Sequence, residues 1–126
     1  MQIRVVVGGP PRNEIVVTAG FGEFRCEWRG REEVPTGSVV DVEIEVTENA
    51  NSMQVVGTDA TPGITSVDNR VTIIGRIAEV EDEDLYVLDL EPGIIMVDRP
   101  SQPMDVAVGD LVSVMVEEVL AFPTNL

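Results

Sequence analysis

The chain has 126 residues, enough for one domain or two very small ones, and 44% of them are hydrophobic, as in a folded globular protein. It carries 23 acidic residues and eight arginines, with no lysine or histidine, so the net charge is −15. A surface this negative repels phosphate backbones and anionic lipids, which argues against a nucleic-acid binder and against a membrane-surface protein.

Three explanations of the charge stay open: solubility, a basic protein partner, or a high-salt cytoplasm. No apolar signal segment follows Met1, and no run of apolar residues is long enough to cross a bilayer as a helix. Cys26 is the only cysteine, so an intramolecular disulfide is excluded. We therefore expect a cytoplasmic protein.

Alternation of apolar and polar residues, the period of a β-strand, recurs along the first half, while helical periodicity is almost absent. Strands are predicted at 3–7, 14–18, 21–28, 37–46 and 52–57. The clearest is 37–46, where the side chains expected to face inward are Val40, Val42, Ile44 and Val46. Those expected to face water on that strand are Asp41, Glu43 and Glu45.

The second half begins with a predicted loop at 58–69, and strands are predicted at 70–80, 85–90, 93–97 and 109–120. We expect an all-β fold with little or no helix. It is either a small antiparallel barrel of the OB-like or SH3-like kind or a pair of packed β-meanders. The prediction is one compact domain, 1–126, in which residues near 58–69 form the seam if two meander halves are present.

Residues 70–120 carry a specific order of features. A long strand with a glycine at its middle, Gly75, leads into a charged hairpin and two shorter strands, and Gly109–Asp110 then turns into a long closing strand. This order resembles an OB-type barrel, and the acidic composition is similar to that of small bacterial OB-like proteins of the toxin–immunity type. The OB resemblance implies binding of single-stranded nucleic acid through aromatic platforms and a basic groove. Residues 70–120 hold three arginines and one aromatic residue, Tyr86, so we do not adopt that implication.

Side chains suited to catalysis are scarce. The absence of histidine removes the commonest general base and metal ligand, and Cys26 lies on the apolar side of an alternating strand, where a buried thiol is expected. We predict no catalytic residue, no cofactor and no metal, and we do not expect an enzyme. A carboxylate-based metal binder is an alternative.

Five acids at 79–84, where the strand at 70–80 leads into the strand at 85–90, form the densest charge of the chain, at a predicted hairpin tip. The last four are contiguous, and the segment lacks the glycine that a calcium loop needs for its sharp turn. They are either a solvated tip or a surface for a basic protein. The residues predicted to bind such a partner are Glu79, Glu81, Asp82, Glu83, Asp84 and Asp89.

A second cluster, 21–31, supplies an alternative interface, because tryptophan and arginine are enriched at binding hot spots. Its residues are Trp28, Arg25, Arg29 and Arg31. This interface requires an exposed Trp28. In the competing interpretation Phe24 and Trp28 fill the core, while Arg25 and Arg29 pair with acids such as Glu43 or Glu45.

The preferred functional hypothesis is a non-enzymatic, acidic protein–protein interaction module. An immunity-type inhibitor that occludes a basic toxin domain is its most specific form. The alternative is a self-associating assembly protein, such as a phage or filament component. The oligomeric state is left open.

Overall fold

The chain folds as eleven β-strands with no helix among the residues that the computed structural model describes, which are 1–20, 22–46, 53–67, 70–81, 85–90, 93–98 and 105–124. The strands are β1 (Gln2–Val7), β2 (Glu14–Ala19), β3 (Gly22–Trp28), β4 (Val39–Val46), β5 (Met53–Val55), β6 (Gly63–Val67), β7 (Arg70–Glu81), β8 (Leu85–Asp89), β9 (Ile94–Asp98), β10 (Leu111–Val116) and β11 (Val119–Pro123). The prediction of an all-β fold with little or no helix is confirmed for these residues.

Five of the strands close into a barrel, in the order β1-β2-β3-β11-β4, because β4 also pairs with β1. The β3–β11 pair is parallel and the other four pairs are antiparallel. The predicted barrel is therefore present, but it is mixed rather than purely antiparallel. A parallel pair requires a long connection between its strands, and here the whole of β4 to β10 separates β3 from β11.

The barrel lies elsewhere in the chain than the resemblance over 70–120 implied. Its strands come from residues 2–46 and 119–123, while the strands between them extend the sheet outside the barrel in the order β4-β9-β8-β7-β10-β5, with β6 beside β7. A long strand, a hairpin and a glycine-headed turn are features of any twisted antiparallel sheet. Local pattern therefore did not distinguish the barrel from its extension.

Two boundaries also differ from the prediction. The segment 58–69, predicted as a loop, contains β6, which pairs with the first half of β7. The single strand predicted at 109–120 is two strands, divided at Glu117 and Glu118. Both glutamates are exposed, which interrupts the alternation of buried and exposed side chains. At this point the chain ends the strand β10, which pairs with β7, and begins the strand β11, which pairs with β4 of the barrel.

Strand β6 approaches the barrel closely at β3. The Arg25 backbone N–H donates a hydrogen bond of 3.0 Å to the Ser66 Oγ. Gly22, with φ at +150°, lies so near that a Cβ there would be 2.5 Å from the Ile64 carbonyl oxygen. Only glycine combines that backbone angle with that contact.

A hydrophobic cluster joins side chains of the barrel, such as Phe24 and Ile44, to those of the added strands, such as Ile73 and Val114. The expected burial of Phe24, Cys26 and Trp28 on β3 is confirmed. On β4 the predicted inward residues are buried except Val40, which is half-buried. The prediction of a single domain with a seam near 58–69 stays a prediction.

Candidate functional site

The predicted acidic hairpin exists as the antiparallel β7–β8 pair. Glu79 is exposed on β7, and Asp89 is half-buried on β8 opposite Arg76. Glu81 ends β7, while residues 82–84, which include three of the predicted acids, lie outside the described residues. Glu79 pairs with Val87, two residues before Asp89, so Glu79 and Asp89 lie on one face of the sheet.

The aromatic residues of the second cluster follow the competing interpretation, in which Phe24 and Trp28 fill the core. Trp28 is only 5% exposed, and its Nε1 donates a hydrogen bond of 2.7 Å to the Glu32 carbonyl oxygen. The alternative interface required an exposed Trp28, and the buried Trp28 does not meet this condition.

The arginines of that cluster pair locally. An Arg25 guanidinium nitrogen lies 4.0 Å from a Glu14 carboxylate oxygen, and Arg29 lies 3.0 Å from Glu27 and stacks over the Phe122 ring. Arg25 and Arg29 thus pair with glutamates of β2 and β3, whereas the prediction named Glu43 or Glu45 of β4. The remaining arginine of the cluster, Arg31, is exposed.

Glu79 and Asp89 belong to a larger surface, which we call the outer face and define by two rows that cross neighbouring strands. Register partners share a face and have Cβ atoms about 5 Å apart. The first row runs from β3 to β7 through Glu27, Leu120, Glu45, Met96, Val87 and Glu79. The second row runs from β11 to β7 through Phe122, Glu43, Ile94, Asp89 and Arg76. Its step from β4 to β9 follows from the parallel pair Glu45 and Met96. Two residues earlier on each of these strands, Glu43 lies beside Ile94.

The centre of the outer face is apolar and open to water. Ile94 is 56% exposed and Met96 40% exposed, while the alternate residues of β9, Ile95 and Val97, are buried in the core. Val87 fills the space beside Met96 and is itself buried. The two exposed side chains therefore stand on a strand that is packed from behind.

Carboxylates border this apolar centre on both sides. Glu43 and Glu45 are exposed on β4, and Glu79 and Asp89 lie on β7 and β8. Within the described ranges, no ion pair involves Glu43, Glu45 or Glu79. The Arg76 guanidinium instead donates a hydrogen bond of 2.7 Å to the Gly109 carbonyl oxygen. The border is therefore strongly negative.

A cleft of about 470 Å³ adjoins the outer face at Glu27. Its lining residues are Glu14, Arg25, Cys26, Glu27, Val71, Glu117, Glu118 and Val119. Glu14 and Glu27 are register partners, which places two like charges opposite each other on β2 and β3. Four carboxylates and one arginine give the cleft a negative potential.

Neither surface has the features of a metal centre. Across the described residues, no three His, Cys, Asp or Glu side chains are grouped so that they could hold a metal ion. The same part of the chain has no helix long and apolar enough to cross a bilayer.

No family model, no curated protein and no solved structure matches the chain. The assignment of a function therefore depends on the surfaces described above.

Of the outer face, the sequence-based prediction named Glu79 and Asp89 as partner-binding residues and did not include the others. Glu43 and Glu45 were correctly expected to face water, and the alternation of Ile94 and Met96 with buried neighbours was readable in the sequence. What joins them is the parallel bridge between β4 and β9, which pairs residues 51 positions apart, Glu45 and Met96. No local signal predicts such a pairing.

The thiol of Cys26, a buried residue of β3 that also lines the cleft, provides a test of how well this part of the core excludes water. Its pKa is raised from the ordinary value of 9.0 to about 12, mainly because burial withholds water from the thiolate and secondarily because the Glu14 carboxylate repels it. Between these values the folded protein keeps a proton that the unfolded chain releases. The free energy of unfolding should therefore fall as the pH rises above 9, by up to about 1.4 kcal/mol per pH unit.

Urea unfolding at pH 8, 9 and 10 of the wild type and of Cys26→Ala measures this effect. The variant should lose the part of the slope that belongs to the thiol, while other groups that titrate in this range contribute equally to both proteins. Equal slopes in the two proteins would contradict a buried, desolvated thiol.

Proposed function

We propose that this protein is a non-enzymatic interaction module whose negative surface binds a basic protein. The observation that carries the proposal is the outer face, where carboxylates of β4 and β7 that form no ion pair within the described ranges border an exposed apolar centre. Exposed carboxylates accelerate encounter with a cationic partner, and the apolar centre supplies area to bury after contact. Phosphate backbones and anionic lipids are disfavoured by the same charge.

We also propose that the barrel is of the OB type. Five strands closed into a ring with one parallel pair support this, together with the long insertion of β5 to β10 before the last strand. The stacking aromatics and basic groove by which such barrels bind single strands have no counterpart on the outer face, where Phe122 lies under Arg29. The barrel thus serves as a rigid support for the acidic surface.

The specific form that we favour is an immunity-type inhibitor that covers the cationic active site of a toxin domain. A negative surface that occludes a positive site gives fast association and suppresses wrong partners. The predicted hairpin acids Glu79, Glu81, Asp82, Glu83 and Asp84 are proposed to contribute to binding this partner through their negative charge.

Affinity capture from the cell of origin, followed by reconstitution with the purified captured protein, tests the proposal. We expect a basic partner whose association rate falls at least about tenfold between ~50 and ~300 mM NaCl. Neutralising the five hairpin acids to Gln or Asn should lower the rate and flatten its salt dependence.

A matched control neutralises five exposed acids elsewhere, so both variants lose the same charge. The control acids are Glu23, Glu32, Glu33, Asp59 and Asp105. The hairpin variant should be affected more than the control. Absence of a basic partner, or an association rate that does not change with salt, would overturn the proposed function.

A further inference from the structure

The exposed pair on β9 distinguishes the outer face from a merely solvated acidic surface. Ile94 and Met96 are two residues apart on one strand, so their side chains stand about 7 Å apart on the same face. Ile95 and Val97 anchor the strand in the core with exposures of 1% and 0%. A pair of large apolar side chains on a firmly packed strand is a preorganised contact area, which lowers the entropy lost on binding.

The arrangement of charge around this pair indicates the chemistry of its occupant. Glu43 and Glu45 border it on the β4 side, and Glu79 borders it on the β7 side beyond Val87. An apolar centre with a charged rim has the anatomy of a protein–protein contact. Because the rim is negative, the complementary partner has an apolar centre and a positive rim.

The same charge argues against a second copy as the occupant. Two copies would bring a net charge of −15 against another −15, and their outer faces would set carboxylates against carboxylates. Like charges set against each other across an interface disfavour such a complex.

We propose that Ile94 and Met96 form the centre of a docking surface for a basic protein segment. This segment places apolar side chains over the pair and sets arginine or lysine side chains against Glu43, Glu45 and Glu79. The inference rests on the proposed function and adds the location of the contact and the composition of the partner.

Two synthetic peptides with equal numbers of arginines test the inference, one with leucines between the arginines and one with serines in their place. Binding to the full chain is measured by calorimetry at ~50 mM salt, alongside binding of the captured basic protein. Ile94→Ser/Met96→Ser should weaken the arginine–leucine peptide and the captured protein at least about tenfold, a loss of about 1.4 kcal/mol. The arginine–serine peptide should bind this variant as it binds the wild type.

The matched apolar control is Val55→Ser/Val108→Ser, which removes exposed valines outside the outer face with exposures of 52% and 64%. It should leave all three affinities unchanged. Glu43→Gln/Glu45→Gln should weaken both peptides, whereas Glu23→Gln/Glu33→Gln should affect both less.

The outcomes separate the inference from the proposed function. If the captured basic protein binds Ile94→Ser/Met96→Ser as tightly as the wild type, the docking surface is wrong and the proposed function stands. If neither the peptides nor any basic protein binds the wild type, the proposed function fails and the inference with it. A dimer in light scattering that only Ile94→Ser/Met96→Ser dissolves would make a second copy the occupant and overturn the inference.

Discussion

Replacing Ala121 with glutamate should unfold most of the protein at room temperature. Ala121 is fully buried on β11, where its register partners are Trp28 on β3 and Ile44 on β4, and its carbonyl oxygen accepts a hydrogen bond of 2.9 Å from the Arg29 N–H. A carboxylate at this position would lie in the barrel core without a cation. Such a charge costs roughly 3–5 kcal/mol, a large part of the stability of a typical domain.

The expected readout is a loss of sheet signal in circular dichroism and a red shift of Trp28 fluorescence, since Trp28 is the only tryptophan. Val108→Glu is the control, because it adds the same charge at a residue that is 64% exposed. It should remain folded. A native spectrum and normal melting temperature for Ala121→Glu would mean that β11 does not close the barrel.

The melting temperature should rise steeply with salt. Twenty-three acids and eight arginines leave a net charge of −15, far more negative charge than ion pairs such as Arg25–Glu14 and Arg29–Glu27 neutralise. The folded state holds this charge in a smaller volume than the unfolded chain and therefore gains more from screening. Coulomb repulsion over a sphere of this size predicts a gain on the order of 5 kcal/mol between ~0.05 and ~1 M NaCl.

Thermal unfolding over this salt range, with an uncharged osmolyte as the comparison, measures the effect. Glu43→Gln/Glu45→Gln removes two exposed carboxylates that form no ion pair among the described residues, and it should reduce the salt dependence. A melting temperature that is constant or falls with salt would refute the electrostatic account. Folding only near molar salt would support the high-salt explanation of the charge.

Individual strands were predictable because each is a local pattern. The alternation in 37–46 predicted buried Ile44 and Val46 and exposed Glu43 and Glu45, all as found. The ring of the barrel was not predictable in the same way, because it depends on Leu120 and Ala121 reaching β3 more than 90 residues earlier. Pairing at that distance is decided by the shared core rather than by any local signal.

The candidate site shows the same division. The density of acidic residues led to the prediction that Glu79 and Asp89 bind a partner. The alternation on β3 led to the interpretation in which Trp28 packs in the core, as found. The combination of Glu43, Glu45, Ile94 and Met96 appears only when β4 and β9 pair. The proposed kind of partner thus follows from composition, whereas the proposed place of the contact follows from topology.

Methyl NMR of Ile94 and Met96 during titration with the arginine–leucine peptide tests the central claim most directly. If the outer face is the docking surface, the methyl signals of these two residues shift or broaden at the same peptide concentrations that saturate binding, while those of Val108 stay unchanged. Binding that shifts the Val108 signals and leaves Ile94 and Met96 unmoved would contradict the account.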